Sequence, residues 1–158
     1  MFYVFGHLIL KSRKDGNMHT SVRGIIEKDD GIVLIHRIKK KSNEEVKDYF
    51  VVPGGKMEPG ENEEETVKRE IFEELGIHVK VGARLLEINN EFDDSIQVFY
   101  KCEYVDGILG TGTGPEFTNH NEYYGIYKIE IIRYDDLERT NLVPEKIKRY
   151  LIDNRKKD

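Results

Sequence analysis

Apolar and polar positions along the chain follow two different rhythms, and each change of rhythm marks an element. "TSVRGIIEK" and "IVLIHRIKK" are short runs rich in β-branched residues, separated by "DDG". They read as a β-hairpin turning at Asp30-Gly31, since that pair tolerates the positive φ of a tight turn. "KKKSNEEVKD" reads as a charged loop and "YFVV" as a short strand ended by Pro53. "GGKMEPGE" reads as a loop punctuated by Gly54, Gly55, Pro59 and Gly60. The period then lengthens. Val67, Ile71 and Leu75 recur at helical spacing with Phe72 beside them, the stripe of a helix packed on a sheet. Asn62 suits its N-cap, Glu65 completes a capping box, and Gly76 suits its C-terminal stop. The helix is therefore expected from Glu63 to Leu75.

"IHVKVGARLLEINNEF", "SIQVFYKCEYV" and "YYGIYKIEIIR" return to strand patterning. The long segment "DGILGTGTGPEFTNHNE" before the last of them is a loop of a length that often carries function. "LVPEKIKRYLIDNRKKD" ends the chain as an amphipathic helix, with Pro144 in its first turn and Val143, Ile147, Tyr150 and Leu151 on its apolar face. These elements sum to an α/β domain with a mixed sheet. The opening "MFYVFGHLIL" is too short for a membrane span, which needs about 20 residues. It lacks a basic start, and a small-residue cleavage site is not clear. Residues 1–17 read as a strand or arm, and 18–158 as the main domain. The arm could add a strand to the sheet or to a partner subunit, the latter giving a homodimer. A cytoplasmic location follows by default.

Charge narrows the choice of partner. The net charge of -5 and pI of about 5.6 argue against a basic face for duplex DNA or an anionic membrane. A small anionic substrate would need local cations or metal ions. The single cysteine, Cys102, excludes an internal disulfide and reads as a small side chain of an apolar run. His36, His78 and His120 have no spacing suited to zinc.

The acidic positions change the picture most. Gly54 to Ile77 holds eight Glu in 24 residues. At about 100° per residue, Glu70, Glu73 and Glu74 share one arc of the helix. Like charges at this spacing repel, and they sit near the end of the helix that disfavours anions. Two local rules broken together point to a compensating cation. A hard divalent ion such as Mg²⁺ takes carboxylate, carbonyl and phosphate oxygens. Arg69 sits among these acids and can pair with Glu61 ahead of the helix. The Gly54-Gly55 pair lets the backbone come close and can offer a carbonyl.

Gly55, five residues, Glu61, seven residues and then "REIFEELGI" match the pattern G-x5-E-x7-R-E-U-x-E-E-x-G-U, where U is bulky and aliphatic. Gly55, Glu61, Arg69, Glu70, Ile71, Glu73, Glu74, Gly76 and Ile77 meet every defined position. From about Met18 onward, the chain resembles the Nudix hydrolase (MutT-like) superfamily. The resemblance implies an α/β/α sandwich, Mg²⁺ or Mn²⁺, and hydrolysis of a nucleoside diphosphate linked to another group. It implies that Glu70, Glu73 and Glu74 bind metal, with Glu70 as general base in some members and the Gly54 carbonyl as a further ligand. Glu61 and Arg69 would form the structural salt bridge.

Outside this box, Glu116 is the first candidate for a later acidic ligand or base and Glu122 the second. Arg37 and Lys39 are candidates for substrate phosphates. Tyr123, with Tyr124 and Phe117, could stack on a base. Sugar nucleotides, dinucleoside polyphosphates and capped RNA are alternative substrates. The acidic composition disfavours long RNA, whose binding rests on cationic contacts. A non-catalytic sensing module would predict damage in the box, and the box is complete.

Overall fold

The computed structural model describes residues 18–40, 43, 45–90, 94–114 and 125–155. The arm over residues 1–17 lies outside them, as do Glu116, Phe117, His120, Glu122, Tyr123 and Tyr124. Among the described residues the elements run β1 (Thr20–Lys28), β2 (Gly31–Lys40), β3 (Val46–Val51), β4 (Gly54–Lys56), α1 (Glu63–Leu75), β5 (Ile77–Asn89), β6 (Ile96–Gly107), β7 (Ile126–Arg133) and α2 (Glu145–Asp153). A 3₁₀ helix over Tyr134–Arg139, which the sequence pattern did not announce, joins β7 toward α2. No helix among the described residues is long and apolar enough to cross a membrane.

The β1–β2 hairpin exists, but its turn is centred one residue earlier than expected. Asp29 and Asp30 both take positive φ, at 50° and 60°. Gly31 already belongs to β2 and pairs with Lys28. Two aspartates supply the left-handed pair of a tight hairpin, a conformation that Asp tolerates better than most residues. β1 and β2 then separate. β2 pairs on one side with β7 and, beyond the hairpin, on the other side with β3. β1 pairs in parallel with β6 and, at its start, with β4. The chain from β3 to β4 thus passes through the opening between β1 and β2. The Gly24 N–H donates to the Pro53 carbonyl there at 2.9 Å. Val46 to Asp48, expected in a loop, extend β3 because β2 offers them partners from Ile38 to Lys40. The Gly54–Lys56 loop is likewise drawn into a short strand by β1.

The sheet is covered on both faces, the α/β/α sandwich that was expected. Val33 and Ile35 of β2 join Val22, Ile26 and the helix residues Val67, Ile71 and Leu75 on one side. Ile32 and Leu34 join Ile25, Phe99, Leu137, Ile147 and Leu151 on the other. Burial on both faces explains the near-continuous apolar runs of β1 and β2. Val67, Ile71 and Leu75 are fully buried, and each such side chain contributes about 1.5–3 kcal/mol. Phe72 is not part of that stripe: it is 45% exposed and lies stacked on His78, with ring centroids 4.6 Å apart. Thr66 takes the inner position instead. The helix bounds, the Asn62–Glu65 capping box and the left-handed Gly76 all occur where the sequence placed them. In α2, Ile147 and Leu151 are buried, Tyr150 is partly buried against them and Val143 is 36% exposed. Cys102 is buried, and burial pushes its thiol up to about 12, so it is no nucleophile.

On the α2 side of β2, His36 ties three strands together. Its Nε2 lies 2.5 Å from Asp48 of β3, its Nδ1 lies 3.0 Å from Glu130 of β7, and its ring stacks on Phe50. Burial alone would lower the imidazole pKa, but the two carboxylates outweigh it and raise the value. A raised folded pKa adds stability below the unfolded value of about 6.5 and loses it as pH climbs through the folded value. The stability gap between wild type and His36→Gln in urea melts is therefore expected to be widest at about pH 5.5–6.5 and to narrow as the pH rises further. A gap independent of pH would show that the imidazolium contributes nothing.

Candidate active site

Glu70 and Glu74 stand beside one backbone feature, the Gly54-Gly55 turn at the start of β4. Gly54 has φ +143°, and a Cβ there would lie 2.1 Å from the Val22 carbonyl oxygen. No other residue type fits without displacing β1. A Cβ on Gly55 would lie 2.4 Å from Cδ of Glu70, so the missing side chain leaves room for that carboxylate. The Gly54 N–H donates to Glu74 Oε2 at 3.0 Å. The Gly54 carbonyl accepts from Arg23 Nη1 at 3.0 Å, and the same nitrogen donates to the Val52 carbonyl at 3.1 Å. Arg23 was not singled out from sequence, although an arginine inside the apolar run "SVRGII" was the available signal. Its buried Nε has no hydrogen-bond partner among the described residues. Burial lowers its pKa, partly countered by Glu74.

Arg69 occupies the middle of the acidic cluster. Its Nε and Nη2 donate to the two oxygens of Glu61, at 2.5 and 3.0 Å, the paired geometry in which a guanidinium binds a carboxylate best. Nη1 reaches Glu70 at 2.9 Å and Glu73 at 3.3 Å, and Nη2 also donates to the Lys56 carbonyl at 3.1 Å. Glu61 Oε2 further accepts from the Glu58 N–H and from the Thr66 hydroxyl. Arg69 first, then the Glu58 amide, hold the Glu61 carboxyl down at about 2. The brace expected between Glu61 and Arg69 is present, and Arg69 extends it to Glu70 and Glu73.

The three helix carboxylates are therefore close but not gathered on one point. Among the described residues no group of three acidic, histidine or cysteine side chains is set to hold a metal ion. Glu70 and Glu73 are turned to Arg69, and Glu74 to a backbone amide. The donor set still suits a hard cation in kind: carboxylate oxygens around a glycine turn with space cleared beside Glu70.

The loop after β6 closes the far end of the helix. Gly110 N–H donates to the Leu75 carbonyl at 2.9 Å, and Gly114 N–H to the Glu73 carbonyl at 2.8 Å. These satisfy helix-end carbonyls that would otherwise be open. The same loop continues toward Glu116. Arg37 and Lys39 lie on β2, on the face that packs against α1 nearer the hairpin. Arg37 Nη2 donates to the Tyr127 hydroxyl at 2.5 Å.

A mixed sheet between two helices, with this box forming a loop and helix on one face, defines the Nudix architecture. The NUDIX domain model matches residues 17–150, and the chain belongs to that family. It is 49% identical over 119 residues to an ADP-ribose pyrophosphatase of Methanocaldococcus jannaschii, a match spanning 73% of this chain and 66% of that protein. The E. coli ORF135 protein, known from a solution structure, superposes with a TM-score of 0.61 at 23% identity, covering 89% of this chain and 95% of that one. A MutT structure from a study of Aliivibrio salmonicida and Vibrio cholerae gives a TM-score of 0.62 at 18% identity, covering 87% and 98%. The last two likenesses are of fold.

Two outcomes follow from this geometry. Gly55→Ala is expected to force Glu70 away from the turn, and comparison of crystal structures would show whether the carboxylate has moved. The Glu61 pKa is depressed, so its contribution to stability is present above the unfolded value of about 4.3 and fades as pH falls toward about 2. Glu61→Gln should therefore be less stable than wild type near neutrality and indistinguishable near pH 2, as read by thermal melts.

Proposed function

We propose that this chain hydrolyses the pyrophosphate bond of a nucleoside diphosphate linked to another group, and that it does so with a divalent metal ion. The observation that supports this best is the complete box, folded so that Glu70 and Glu74 flank the Gly54-Gly55 turn while Glu73 and Glu70 share Arg69. Glu70, Glu73 and Glu74 would hold Mg²⁺ or Mn²⁺. The Gly54 carbonyl is a further candidate, although it accepts from Arg23 in this structure. Such an ion supplies charge neutralisation at the phosphate oxygens and a more acidic bound water.

The side chains divide the remaining tasks. Glu70 takes the proton of the attacking water as its oxygen bonds to phosphorus and the bridging P–O bond breaks. Arg69 and Glu61 keep the helix and its preceding loop in register, so that the acids present a fixed array. Arg37 and Lys39 meet substrate phosphates from β2, and Tyr123 stacks on the base. Glu116 adds an acidic group from the loop that Gly114 anchors to α1. ADP-ribose, the compound in the name of the archaeal relative, is the first substrate to assay.

A panel of nucleoside di- and triphosphates, sugar nucleotides and dinucleotides, scored for phosphate release with Mg²⁺ and with EDTA, tests the reading. Turnover is expected only with the metal, and inactivity across the panel would sink it. Glu74→Gln keeps an acceptor for the Gly54 N–H and should stay folded, with a Tm close to wild type. Its turnover is expected to fall about a hundredfold, equivalent to about 3 kcal/mol of transition-state stabilisation.

A further inference from the structure

Around β2 the two faces of the sheet differ in charge. On the α2 side, His36 is attended by Asp48 and Glu130. On the α1 side, beyond Val33 and Ile35, the next two inward positions are Arg37 and Lys39. The register sets Arg37 between Tyr49 of β3 and Tyr127 of β7, and sets Lys39 opposite Lys47 of β3. Like charges directly opposite each other destabilise a strand pair. Arg69, Arg84, Arg133, Arg139, Arg149 and Arg155 all form ion pairs with acids, as expected in a chain with 30 acidic and 25 basic residues. Among the described residues Arg37, Lys39 and Lys47 have no such ion pair, nor do Arg23 and most lysines, but these three share one face of the sheet.

Arg37 is also held rigidly. Its guanidinium carbon lies 4.8 Å from the Tyr127 ring centroid and 5.7 Å from that of Tyr49. Its Nη2 is fixed by the Tyr127 hydroxyl, and its buried Nε has no hydrogen-bond partner among the described residues. Burial lowers the Lys39 pKa, and Arg37 and Lys47 lower it further, the sign of a concentrated positive field. Arg23, whose Nη1 donates to the Gly54 carbonyl beside Glu70 and Glu74, feels the charges of both acids and of Arg37. Lys39 lies about 7 Å further along β2 than Arg37.

We propose that Arg37, Lys39 and Lys47 form an anion subsite for a phosphate lying beyond the scissile pyrophosphate. The preferred substrates are then nucleotides with a third phosphate or a phosphorylated leaving group, rather than those ending in a neutral sugar. The inference rests on the pyrophosphohydrolase reading for its substrate, but not for the site itself. A row of like charges on one face is compensated by a multiply charged anion, and Arg37 is already ordered to receive it.

Two measurements on wild type and the K39Q/K47Q double variant decide it, with Arg37 and its tyrosines left intact. In kinetics, the double variant should lower kcat/KM for a nucleoside triphosphate about tenfold more than for ADP-ribose, the effect of removing two partly exposed charge contacts. In calorimetry with EDTA present, inorganic tripolyphosphate should bind wild type about tenfold more tightly than the variant. Equal losses on both nucleotides, or equal tripolyphosphate binding, would overturn the subsite. If neither nucleotide is hydrolysed, the hydrolase reading fails, and the tripolyphosphate comparison alone decides the subsite.

Discussion

One guanidinium holds the acidic face of this protein together. Arg69 binds Glu61 through two parallel hydrogen bonds and reaches Glu70, Glu73 and the Lys56 carbonyl with its remaining donors. Glu61 in turn takes the Glu58 amide and the Thr66 hydroxyl. β4, the loop after it and the first two turns of α1 are thereby fixed to one charge. Without that cation, the carboxylates on one side of a short helix would repel, and the loop would lose its reason to fold back. A planar fork with five donors can satisfy several carboxylates at once, which a lysine ammonium cannot do with the same geometry.

The same arrangement sets up a competition. Glu70 and Glu73 face Arg69, and Glu74 faces a backbone amide, so the charges that would bind a divalent ion are already partly compensated. That compensation keeps the cluster folded when no metal is bound. A metal bound there would have to draw oxygens from hydrogen bonds worth about 1.5–3 kcal/mol each when charged. The glycine turn makes the exchange feasible, because the absent Cβ of Gly55 leaves Glu70 adjacent to backbone rather than packed behind a side chain.

The separation of β1 from β2 positions this turn. Each strand finds other partners where they diverge, and the β3–β4 connection crosses the opening with Pro53 bonded to Gly24. The crossing delivers Gly54 against β1 and Gly55 against α1. Beside it, β2 and β3 present a cationic row on the α1 face, while Asp48 of β3 and Glu130 of β7 place acids on the α2 face. An acidic protein can in this way keep a local positive field, because a strand sends successive side chains to opposite sides.

The bounds of α1, its capping box, its glycine stop and the box of acids were legible in the sequence, since each depends on residues within a turn or two of one another. The β-branched apolar runs that make β1 and β2 buried strands were legible for the same reason. Tertiary structure decided what local spacing does not contain. Phe72 has helical spacing for the core, but its ring lies on His78 outside, and Thr66 takes the inner place. Gly54 to Lys56 and Val46 to Asp48 looked like loops until β1 and β2 offered them hydrogen bonds. Arg23, far from the box in sequence, meets the Gly54 carbonyl only because β1 and β4 pair. Lys47 joins Lys39 only through the register of β2 and β3. Helices are set by neighbours along the chain, whereas a sheet is set by partners that the chain must fold to meet.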